Sequence, residues 1–80
     1  MEHPIKIKRL RHNFGVVVRR KRHKMGISQE TLAENADIHR TYVSSIELGK
    51  VDIGLGAAYK IASALNTPLH KLIKEAENDL

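Results

Sequence analysis

The chain has 80 residues, 41% of them hydrophobic and 4% aromatic, with a formal net charge of +5. That length carries one domain with one modest core, of the size that buries about 60% of its extended surface on folding. Cysteine is absent, which excludes a disulfide framework and a thiolate metal site. No apolar run approaches the roughly 18 residues of a membrane span and no signal-peptide core opens the chain, so the expected location is the cytoplasm.

The charge is distributed unevenly. Residues 1–25 hold nine Lys or Arg against the single acid Glu2, and the remainder holds five against eight acids. A basic amino-terminal third on a mildly acidic body suits a polyanionic partner, whose counterions are released on binding without any reading of sequence.

Residues 1–11 contain His3 and Pro4 followed by Lys6, Lys8, Arg9 and Arg11, and read as a basic, flexible arm ahead of a folded unit over 12–78. Asn13 is placed to cap a first helix that runs to Lys24 and ends at Gly26. Phe14, Val17, Val18 and Met25 lie close to one stripe of this helix, interrupted by Lys21, whose methylenes would follow the core edge with the ammonium in water. The cations from Arg19 to Lys24 suit the carbonyl end of a helix better than a nuclear targeting signal.

The most informative stretch is Ser28 to Gly49. Ser28 supplies a hydroxyl to cap a helix starting at Gln29, which carries Leu32, Ala33 and Ala36 at helical spacing and stops at Asp37. Thr31 stands where a capping box needs Glu or Gln, so the cap is single. Asp37 is among the better non-glycine residues for a left-handed turn. A third helix over 39–48 places Val43 and Ile46 on one side and Thr41, Ser44, Ser45 and Leu48 on the other.

A loop over 50–54 leads to a fourth helix, 55–65, with Leu55, Ala58, Ile61, Ala62 and Leu65 facing inward and Asn66 ending it. Thr67 is expected to cap a fifth helix with Pro68 at its first position. Leu69, Leu72, Ile73 and Ala76 form the apolar face of that helix, and residues from Glu75 on, including 79–80, are expected to fray. The sum is an all-α domain of five short helices. Leu69, Leu72 and Ile73 exceed what one small core needs, which points to homodimerisation through the fifth helix and the end of the fourth.

The order Ser28-Gln29, Leu32-Ala33, a four-residue interruption, Thr41-Tyr42-Val43-Ser44-Ser45-Ile46-Glu47 and Gly49-Lys50 resembles the helix-turn-helix of phage Cro and repressor proteins and their bacterial, XRE-like relatives. The likeness spans roughly residues 14–73. It implies a lambda-repressor-like fold and a transcriptional regulator whose third helix enters the major groove. On the matching positions, Arg40, Thr41, Ser44 and Ser45 read bases, with Arg40 able to donate twice to guanine. Ser28, Gln29, Tyr42 and Lys50 are placed to bind phosphates. The resemblance also pairs Arg22 with Glu47 as a structural ion pair and puts His39 at the cap of the third helix.

Within the family, the run Ile38 to Glu47, with Arg40-Thr41-Tyr42 opening the third helix, is most similar to controller proteins of restriction-modification systems. A phage-type repressor and an antitoxin-like autoregulator are the alternatives, and a protein-interaction module without DNA binding is the alternative from another class. The implied partners are double-stranded operator DNA, a second copy of the chain and RNA polymerase, in a bacterial or phage-encoded setting. Nothing points to an enzyme. His3, His12, His23, His39 and His70 lack the spacing of a helical metal pair, and neither a glycine-rich phosphate loop nor a nucleophile with its base is present. No cofactor or metal is expected.

Overall fold

A computed structural model describes residues 4–78 and 80. Among the described residues five helices follow one another: α1 Pro4–Met25, α2 Gln29–Ala36, α3 Arg40–Glu47, α4 Leu55–Ala64 and α5 Leu69–Glu77. Helix α1 packs on α5 and α3, α2 packs on α3 and α4, and α4 meets α5. The core between them is small and, apart from Phe14, aliphatic: Phe14 and Val18 from α1, Leu32 from α2, Val43 and Ile46 from α3, Ile61 from α4 and Leu72 from α5 are all buried. Among the described residues no helix is long and apolar enough to cross a membrane.

The amino-terminal segment differs from the flexible arm expected of it. Backbone from Pro4 onward is helical and continuous with α1, and only residues 1–3 lie outside the described structure at this end. Proline suits the first helical position because the N–H it lacks has no acceptor there. The extension is also tied down further along: Leu10 packs against the core and Arg11 Nη1 lies 3.5 Å from Asp52 Oδ1. Asn13 is therefore an interior residue of α1 and not its cap, and its Nδ2 donates to the Ala76 carbonyl at 3.1 Å.

Gly15 and Gly49 each permit a close approach. A Cβ at Gly15 would run into the carbonyl oxygens of Ile46 and Glu47, the second at 2.6 Å, so α1 crosses the end of α3 backbone against backbone. Gly49 has φ +70° and would place a Cβ 2.8 Å from His12 Cα. Both turns after α2 and α4 use a non-glycine left-handed residue, Asp37 at φ 55° and Asn66 at φ 53°, as short polar side chains allow.

Further expectations change. Lys21 is not simply snorkelling: its Nζ lies 3.0 Å from Glu75 Oε2, and Arg20 Nη2 donates to Glu75 Oε1 at 3.1 Å. These contacts, with Ala76 fully buried, hold α5 as helix to Glu77, beyond the point where fraying was expected. Asp79 lies outside the described residues. Thr67 does not cap α5, because its hydroxyl turns back to donate to the Leu65 carbonyl at 3.0 Å, and Pro68 occupies the cap position with extended backbone. Leu55 is 79% exposed, not inward-facing, since it stands one turn ahead of Ala58, where the buried side of α4 begins. Met25, 40% exposed, also leaves the stripe, and Arg22 is buried in its place.

Candidate nucleic-acid interface

Helix α2 begins on Ser28, which has extended backbone and whose Oγ accepts from the Thr31 N–H at 3.0 Å. The same hydroxyl donates to Thr31 Oγ1 at 3.1 Å. The remaining first-turn N–H groups, those nearest Ser28 and Gln29, have no partner within the helix and form an anion-favouring end.

After the left-handed turn at Asp37, His39 takes the N-cap position of α3. Its carbonyl accepts from the Tyr42 and Val43 N–H groups at 3.0 and 3.2 Å, while its imidazole makes no capping hydrogen bond. Val43 and Ile46 are buried and seat the helix. On the other side Arg40 and Thr41 are exposed, Tyr42, Ser44 and Ser45 are half-buried, and Leu48 is 57% exposed. Lys50 is exposed just beyond the left-handed Gly49. Glu30 on α2 is the acid within ion-pair range of Arg40, with Nε 4.0 Å from Oε1, and Glu34 and Asp37 line the same surface cleft. The Arg40 and Glu30 side chains are well exposed, so their contact contributes little and leaves Arg40 free to move.

Behind that face, Arg22 and Glu47 form a forked pair. Arg22 Nε donates to Glu47 Oε2 at 2.7 Å and Nη2 donates to Oε1 at 3.0 Å, with side chains 10% and 3% exposed. The third nitrogen, Nη1, donates to the Ile27 carbonyl at 2.9 Å, and Gln29 Nε2 donates to Glu47 Oε1 at 3.1 Å. One carboxylate thus ties together the end of α1, the start of α2 and the end of α3. The Glu47 carboxylate, through its hydrogen bonds, holds the Arg22 guanidinium even more firmly protonated than an ordinary arginine, against the opposing effect of burial. This arrangement fixes how α3 stands on the domain.

Arg40, Thr41, Ser44 and Ser45 lie on the side of α3 away from buried Val43 and Ile46, and Gln29 at the start of α2 lines a cleft with Ser44. The side-chain amide of Gln29 is engaged inward by Glu47. Leu72 differs from Leu69 and Ile73: it is wholly buried in its own core and so offers no surface to a partner subunit, whereas the other two are half-buried. Arg19 was not singled out in the sequence, yet it lines a cleft beside Ser44 and Leu48. The signal was present as its helical spacing of three from Arg22, hidden in a run of cations.

The sequence family described as helix-turn-helix matches residues 18–72. The chain is 41% identical over 56 residues to the control protein C.SmaI of Serratia marcescens, covering 70% of this chain and 67% of that one. It is 37% identical over 59 residues to the control protein C.MunI of a Mycoplasma species, covering 74% of this chain and 80% of that one. Among solved structures, the restriction-modification controller protein C.AhdI from Aeromonas hydrophila superposes with a TM-score of 0.75 at 36% identity, covering 76% of this chain and 92% of that one. The all-helical architecture agrees with these likenesses, and the chain belongs to the helix-turn-helix family, among the control proteins of restriction-modification systems.

Proposed function

We propose that this protein regulates transcription of a restriction-modification operon by binding a two-fold symmetric operator as a homodimer. Helix α3 enters the major groove; Arg40 donates to a guanine edge, and Thr41, Ser44 and Ser45 meet neighbouring bases. Ser28 and the backbone of Gln29 bind one phosphate at the start of α2, and Tyr42 and Lys50 bind others. The observation that carries this reading is the exposed, small-residue face of α3 with Arg40 at its leading end, held from behind by the buried Arg22–Glu47 pair.

Symmetry supplies the second half-site. The two-fold axis runs beside α5, where half-buried Leu69 and Ile73 offer apolar surface to a partner, and the two recognition helices stand about 34 Å apart to match one turn of duplex. RNA polymerase is the further partner through which operator occupancy acts on transcription, in the bacterial cytoplasm. Selection of bound sequences from a random duplex pool tests the reading, because it returns base preference, symmetry and spacing together. An inverted repeat with half-sites one turn apart is the expected product, and recovery of no preferred sequence overturns it.

A further inference from the structure

Arg19 and Arg20 are neighbours in the chain but serve different sides of α1, as about 100° of rotation per residue requires. Arg20 is drawn to α5, where its Nη2 donates to Glu75. Arg19 instead lines a cleft of about 220 Å³ between α1, α2 and α3, together with Arg22, Gln29, Ser44, Glu47 and Leu48.

The charges inside this cleft do not balance. Its single acid, Glu47, already accepts from both nitrogens of the Arg22 fork and from Gln29. Arg22 and Glu47 cancel, which leaves Arg19 as the uncompensated cation, and among the described residues Arg19 makes no ion pair. Ser44 is small enough to leave the floor open, and exposed Leu48 forms an apolar wall. Both belong to the outward face of α3. The stretch from Ser28 to Gly49 itself contains only Arg40 as a Lys or Arg, against four acids. A duplex lying on α3 therefore meets a deficit of cations that this helix cannot supply.

We propose that the cleft between α1, α2 and α3 seats a backbone phosphate of the bound duplex, with Arg19 as the side chain that neutralises it and Leu48 against the adjoining deoxyribose. This rests on the DNA-binding reading above and adds a contact from α1 to it. Such a contact positions the protein on the duplex without selecting sequence.

The test compares wild type, Arg19→Gln and Arg20→Gln on a fluorescent random-sequence duplex and on the operator recovered by selection, between about 50 and 200 mM salt. Arg19→Gln is expected to make the slope of log affinity against log salt shallower by about 0.9 per protomer, with an unchanged melting temperature, while Arg20→Gln keeps the wild-type slope. Three results overturn the proposal while leaving the DNA-binding reading standing: a wild-type slope in Arg19→Gln, equal slope changes in both variants, or a loss confined to a selected operator. A wild type without salt-dependent binding to any duplex overturns both.

Discussion

Arg22 and Glu47, 25 residues apart, share two hydrogen bonds of 2.7 and 3.0 Å in a nearly buried setting, and Gln29 adds a third to the same carboxylate. The pair joins three of the five helices at the root of α3. Its job is mechanical: it sets the attitude of the recognition helix and does not itself face solvent.

Glu47→Ala leaves the Arg22 guanidinium buried without its counter-charge, a change that costs on the order of 3 kcal/mol. For a domain of this size that lowers the melting temperature by more than about 10 °C. Thermal unfolding followed by circular dichroism measures it, and an unchanged midpoint would remove the pair from the structural account.

Arg40 sits at the opposite end of α3 with only a long, exposed contact to Glu30. Arg40→Ala is expected to cost about 1–3 kcal/mol on the selected operator and little on random duplex. Competition titrations with both duplexes check this. Equal losses on the two would assign Arg40 to the phosphates.

Two glycines inside helices should respond in opposite directions to the same substitution. Gly15→Ala forces a methyl into the carbonyls of Ile46 and Glu47 and should destabilise by about 1–3 kcal/mol, as overpacking does. Gly56 in α4 has nothing within 4 Å of its would-be Cβ, so Gly56→Ala should stabilise by about 0.5–1 kcal/mol through the unfolded chain's lost freedom. Denaturant midpoints of the two variants decide it.

Glu75 contributes to the acid limb of stability. Lys21, through its hydrogen bond, and then Arg20 hold its carboxyl below the ordinary 4.5, against the opposing effect of burial. The unfolded chain thus takes up this proton at higher pH than the folded one. The stabilisation is complete above about pH 4.5 and is lost as pH falls through the lowered folded value. Glu75→Gln should flatten this part of the stability profile, and added salt should weaken it because the cluster is partly exposed. Unfolding measured in urea from neutral pH down through the carboxylate range compares the two proteins; identical profiles would count against the cluster.

Leu69 and Leu72 stand on one helix with different surroundings. Leu72→Ala should cost about 2–5 kcal/mol, as a fully buried leucine does, with sedimentation per folded molecule unchanged. Leu69→Glu should shift sedimentation from dimer to monomer at little loss of melting temperature. A dimer that survives Leu69→Glu would place the two-fold axis elsewhere.

The sequence by itself determined the helix-turn-helix. Ser28 as a single cap, Asp37 in a left-handed turn and the spacing of Leu32, Ala33, Ala36, Val43 and Ile46 were all legible, because each depends on a residue's own backbone preference or on the 3.6-residue period within one helix. The Arg22–Glu47 pair came from the resemblance, since no local pattern links residues so far apart. Tertiary structure decided the rest. A helical wheel gives the direction of a side chain about its own axis, but which neighbour lies in that direction depends on how the helices pack. Lys21 and Arg20 found Glu75, and Asn13 found Ala76, 63 residues away. The same packing buried Leu72, exposed Leu55, and turned Arg19 from one cation in a run into the open charge beside α3.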